Sequence, residues 1–214
     1  MSRFLLNFQI ICVTIYKTDE RILFFMYING EKLGKTLGEL EQTLLDYKLP
    51  EWENLPYIEL YMDQVISILG NYLEIYYETI GTQKFVTPSM INNYVKLGII
   101  PPPVKKRYSR VHLAYLIIIC TLKQTLDMAT IQKIIPIGLD EAETGMLYNS
   151  FVKNQRKAFA YVTENVKMVA DPILKNESES QERLNDLLMQ VSVSANIFKI
   201  LTEKITQMPP DEDV

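Results

Sequence analysis

Three consecutive prolines, Pro101-Pro102-Pro103, stand between two segments that read as helices. Each proline ring fixes φ near about −65° and removes an amide donor, so neither a helix nor a central strand can run through this point. Upstream, Thr87 is placed as an N-cap and Pro88 as the first helical residue. Met90, Ile91, Tyr94 and Val95 supply a buried side, which leaves Ser89, Asn92, Asn93 and Lys96 facing outward. Gly98 follows as a residue able to take positive φ and end the helix, and Ile99-Ile100 anchors the turn. Downstream, Val104 to Tyr108 is short, basic and extended. Ser109 then caps a helix whose run LAYLIIIC is apolar nearly all round, as expected of a central buried helix. Asp127 caps one more short helix, MATIQKII, stopped by Pro136.

Helix, tight turn, basic hairpin, helix is the grammar of a winged helix-turn-helix. Charge is placed to match. From Thr79 to Leu126 there are seven basic residues, Lys84, Lys96, Lys105, Lys106, Arg107, Arg110 and Lys123, and no acid. With 26 acids in 214 residues, a stretch of 48 should carry about six. The chain's formal net charge is −4, so a window of +7 leaves −11 for everything else. An acidic protein with one purely basic module suits a phosphate-facing patch.

At 214 residues the chain is one or two domains, and a 48% hydrophobic share is ample for a core. Glycine is scarce, at 8 residues, which favours helices over a sandwich or barrel. Cys12 and Cys120 lie far apart with no ligand spacing, so neither a zinc site nor a redox pair is indicated, and a reducing cytoplasm is the simple inference. Residues 4–16 are apolar but interrupted, and 13 residues are too few to span a bilayer as a helix, which needs roughly 20. Two readings stand for residues 1–35: an N-terminal extension with a hairpin over 4–28, or an over-called start with Met26 the true first residue.

A winged helix-turn-helix domain is expected over 36–138. Within it, residues 36–48 form a short helix with a Thr36/Glu39 capping box. Trp52, the only tryptophan, plugs the core between two prolines, and Pro56 opens an amphipathic helix of about five turns through Ile58, Met62, Val65, Leu69, Tyr72 and Tyr76, ended by Gly81. Residues 139–208 form a C-terminal helical region, with helices over 141–169 and 180–206 separated by Asp171-Pro172 and the polar stretch KNESESQE. Leu184, Leu188, Val191, Ala195, Phe198 and Ile205 step along the second helix by fours and threes, with Thr202 interrupting, as a coiled-coil-like seam. This seam is either intramolecular packing or the contact of a homodimer. Residues 209–214 form an acidic tail.

The words T-P-S-M-I-N-N-Y-V-K-L-G-I-I-P-P and K-K-R-Y-S-R-V-H-L resemble the DNA-binding head of MerR-type regulators, and LKQTLDMATIQKII resembles that head's closing element. A closer resemblance is to a bacterial family with this head, the domain of unknown function 1836. It rests on Leu49-Pro50-Glu51-Trp52, Leu55-Pro56 and the run Leu60 to Val65, followed by the head itself, and covers about residues 45–136. Tyr94, Gly98, Pro102, Tyr108 and Leu113 match the MerR pattern. Asn92-Asn93 replaces its usual Arg-Tyr pair, Lys106 stands where the wing's arginine is usual, and His112 stands where an acid is common.

The expected fold is therefore all-α with a small β wing, a MerR-like winged helix-turn-helix with a C-terminal helical region. The expected function is sequence-specific binding of double-stranded DNA in bacterial transcription regulation. A recognition helix over 88–97 presents Asn92 and Asn93, able to pair bidentately with adenine in the major groove. Ser89 and the helix N-terminus hold a phosphate. Lys96, Lys105, Lys106, Arg107, Tyr108 and Arg110, on that helix and around the 104–108 wing, grip the backbone. The alternative is an interaction adaptor that keeps the fold without binding DNA. One histidine, His112, read as a surface or packing residue, with no metal cluster, cofactor motif or nucleophile, argues against an enzyme and against any catalytic, cofactor or metal site. No membrane partner is expected, and no effector is indicated.

Overall fold

The computed structural model describes residues 12–18, 21–27, 30–76, 86–175 and 180–209. Lys84, Gly81, residues 1–11 of the N-terminal segment and the tail from residue 210 lie outside them. The described residues are mainly helical. Two antiparallel strands come first, β1 (Cys12–Thr18) and β2 (Arg21–Tyr27), in a register that pairs Cys12 with Tyr27 and Thr18 with Arg21. Among the described residues there follow the helices α1 (Gly30–Asp46), α2 (Met62–Tyr72), α3 (Pro88–Lys96), α4 (Arg110–Leu122), α5 (Met128–Ile134), α6 (Glu141–Lys175) and α7 (Ser180–Ile205), with a 3-10 turn at Trp52–Asn54.

Three helices differ from their sequence reading. α1 starts at Gly30, so Thr36 lies inside it and is no cap. Glycines 30, 34 and 38 hide a helix whose Leu33, Leu37, Leu40 and Leu44 still recur by fours and threes. α2 is shorter than five turns, because residues 57–61 are not helical and Ile58 is exposed. It starts behind Tyr61, whose amide donates to Gln64 Oε1 at 2.9 Å. α6 runs through Asp171-Pro172 to Lys175. Pro172 falls in its last turn.

The chain divides into two compact units, residues 1–45 with 160–196, and residues 46–159 with 197–214. The second unit holds the main core. Nine consecutive residues of α4, His112 to Cys120, are buried, as its all-round apolar sequence requires. Trp52 packs inside, with its amide donating to Asn149 Oδ1 (2.8 Å), while the Tyr148 hydroxyl donates to the Pro50 carbonyl (3.0 Å). The first half of α6 thus clamps the Leu-Pro-Glu-Trp segment. That helix starts on a reciprocal cap, with the Asp140 amide donating to Glu143 Oε2 and the Glu143 amide to Asp140 Oδ1.

Candidate nucleic-acid interface

α3 is closed at both ends by its own sequence. Thr87 Oγ1 accepts from the Met90 amide at 3.3 Å, and Pro88 occupies the first turn. At the other end Gly98 adopts φ +69°, its amide donates to the Val95 carbonyl, and the Ile99 amide donates to the Tyr94 carbonyl. That pair of bonds is a Schellman closure. Ile91 and Tyr94 are buried, so Ser89, Asn92, Asn93 and Lys96 fall on the wet side and are exposed. None of the four side chains makes a hydrogen bond or ion pair among the described residues.

The expected wing makes two isolated bridges rather than strands. Val104 pairs with Arg107, and Tyr108 pairs with Leu60 through two backbone hydrogen bonds of 2.8 Å. Between the first pair, Lys105 and Lys106 both have positive φ, +50° and +64°. Positive φ at both central residues marks the type I′ hairpin turn, whose usual residues are Asn-Gly, not two lysines. Each lysine in this region costs about 1–2 kcal/mol. Both side chains are exposed and unpaired among the described residues.

Two expected contacts are not on this surface. Tyr108 is only 3% exposed, its ring set edge-on to His112 at 5.4 Å, so it is a core residue that anchors the turn. Its pairing with Leu60, 48 positions earlier, is what buries it. Arg110 has only 21% of its side chain exposed. It bonds Glu141 Oε1 through Nε (2.7 Å) and through a terminal nitrogen (2.6 Å), and its guanidinium lies 4.6 Å from the Trp52 ring and 4.7 Å from the Tyr57 ring. A guanidinium held this way is a structural tie, not a free phosphate ligand. Arg107 is intermediate: half-exposed, 3.6 Å from Glu59, and 5.4 Å from the Tyr61 ring.

His112 is buried, and its Nδ1 accepts from the Ser109 amide at 3.0 Å with the Ser109 hydroxyl 2.9 Å away. It takes the place that Glu or Gln holds in a capping box. Burial pushes its pKa down, with the Pro102 and Pro101 carbonyls opposing weakly. Nε2 makes no well-formed hydrogen bond among the described residues.

Residues 50–151 match the family model described as Domain of unknown function (DUF1836). The matched segment reaches from the clamped Pro-Glu-Trp words through α3, the lysine turn and α4, and ends inside α6, past the expected limit of 136. The extension makes physical sense, since Gly145, Tyr148 and Asn149 hold residues 50–52. No curated protein and no solved structure matches the chain.

Sequence reasoning missed an apolar rim in the matched segment. Tyr57, Ile58, Tyr61 and Val104 are each more than half exposed. The signal is Leu60, the one inward residue of the non-helical stretch 57–61. Among the described residues no group of three His, Cys, Asp or Glu could hold a metal, and no helix is long and apolar enough to cross a membrane.

Proposed function

We propose that this chain binds double-stranded DNA sequence-specifically through a MerR-like winged helix-turn-helix, and that it acts in bacterial transcription regulation. The carrying observation is a division of labour among basic and polar side chains. Ser89, Asn92, Asn93, Lys96, Lys105 and Lys106 are exposed with no intramolecular partner among the described residues, while Arg110 is engaged internally. A protein that left these groups solvated for no purpose would not also hold two lysines at unfavourable φ. Strain of this kind persists where the surrounding structure over-determines it, and it clusters at functional sites. Asn92 and Asn93 are the base readers in this account, and Lys96, Lys105, Lys106 and Arg107 bind phosphates and set register.

Occupancy or distortion of a promoter would be the mechanism, with no chemistry on the DNA. A reducing cytoplasmic setting fits the buried free thiol of Cys120. The exposed seam residues Leu188, Val191, Phe198 and Ile205 favour a homodimer on a pseudo-palindromic site. Selection of bound duplexes from a random pool tests the reading. Wild type should enrich a defined motif, and a variant with Lys105, Lys106 and Arg107 all changed to Glu should not.

The apolar rim of Tyr57, Ile58, Tyr61 and Val104 favours a second reading, a protein-interaction adaptor that does not bind DNA. An adaptor would enrich no motif, and would lose its partner on Tyr57→Ser or Val104→Asp.

A further inference from the structure

A half-open cavity of about 370 Å3 lies between α1 and the second half of α6, within the first unit. Its size is in the range of small-molecule sites, and its lining has their usual character, mostly apolar with a few polar groups. Leu37, Leu40 and Leu44 face Val162 and Val166 across it, and Gly34 and Gly38 keep the α1 wall low. Two polar features belong to the same lining. Thr163 is buried, and its hydroxyl has no hydrogen-bond partner among the described residues. Glu41 and Lys167 form an ion pair at 2.5 Å.

The two ions are unequally solvated: the Glu41 side chain is 27% exposed and that of Lys167 is 58% exposed. Lysine can swing its ammonium into water on a flexible stem at little cost. Release of the less exposed carboxylate would leave the more sheltered of the two charges without a partner, which costs more than releasing the ammonium. An incoming ligand can therefore replace Lys167 on Glu41 more cheaply than it can replace Glu41 on Lys167.

We propose that this cavity binds a small amphipathic cation, with its apolar body among the leucines and valines and its ammonium on Glu41 in place of Lys167. The Thr163 hydroxyl gives such a ligand one further polar contact if it carries a donor or acceptor along its body. The site stands apart from DNA binding, and either property can fail alone.

Octylammonium, octanol and octanoate share one tail and differ in charge, so their titration into the full-length protein, followed by calorimetry, tests the proposal. Octylammonium should bind at one site, octanol more weakly, and octanoate most weakly. Glu41→Gln should weaken octylammonium by about tenfold or more. Lys167→Met, which removes the internal competitor, should strengthen it several-fold. Gly38→Leu should abolish binding by filling the cavity while keeping the helical circular dichroism, because a β-carbon at Gly38 meets nothing within 4 Å. Octanoate binding as tightly as octylammonium, an unchanged affinity in Glu41→Gln, or no binding of any of the three would overturn the proposal.

Discussion

A β-carbon on Gly145 would lie 2.9 Å from Nε1 of Trp52. The indole lies against bare backbone of α6, and no larger residue leaves it room. Trp52 is also where Arg110, Tyr148 and Asn149 converge, so its displacement would loosen the joint between α6 and α4. Gly145→Ala should therefore destabilise the protein by about 1–3 kcal/mol, the usual penalty of overpacking, despite the helix propensity that alanine adds. Gly38→Ala, with open space around its β-carbon, should instead gain about 0.5–1 kcal/mol. Urea denaturation of both variants checks the pair.

The lysine turn sets stability against function. Lys105→Asn with Lys106→Gly supplies the residues a type I′ turn prefers and removes two positive-φ side chains. Thermal or urea unfolding should show a gain of about 1–3 kcal/mol, since each lysine there costs about 1–2. The same double change removes two cationic contacts, so the slope of log affinity for DNA against log salt should fall by about two.

Arg110 and Lys96 should behave oppositely. Arg110→Ala cuts the tie to Glu141 and the contacts with Trp52 and Tyr57, and should lower stability by about 1–2 kcal/mol while leaving the salt slope of DNA binding unchanged. Lys96→Ala should leave stability within about 0.5 kcal/mol and lower the slope by about one.

Burial gives His112 a pH dependence whose sign can be worked out. Its pKa in the folded protein is pushed down by burial, so the unfolded chain binds more protons as pH falls through the ordinary histidine range. The stability contributed by neutral His112 is complete above that range and is lost as pH falls below it toward the folded pKa. His112→Gln keeps a capping-box residue at this position and cannot titrate there. Urea midpoints at pH 7.5 and pH 5.5 should fall further for wild type than for His112→Gln. Equal falls would mean that His112 does not carry the effect.

What could be read from the sequence was local. Thr87, Ser109 and Asp127 announce helix starts, and Gly98 announces a stop, because each acts on backbone groups within four positions. The same locality exposes Asn92, Asn93 and Lys96, since Ile91 and Tyr94 fix which side of α3 is dry. What could not be read depended on distant partners. Arg110 looks like every other cation in the basic window until Glu141 and Trp52 arrive from 31 positions after and 58 before. Tyr108 reads as a wing residue until Leu60 pairs with it. The continuation of α6 through Pro172 and the start of α1 at Gly30 both run against local propensity, which a long helix can override.

Salt-dependent affinity for the selected duplex, measured by fluorescence anisotropy for wild type and for the Lys105→Glu, Lys106→Glu, Arg107→Glu triple variant, probes the central claim most directly. Wild type should lose affinity steeply and linearly in log salt, with a slope of about −4 from four cationic contacts, and the triple variant should bind at least about a hundredfold more weakly at low salt. Equal affinity of the two proteins, or wild-type binding that does not respond to salt, would contradict it.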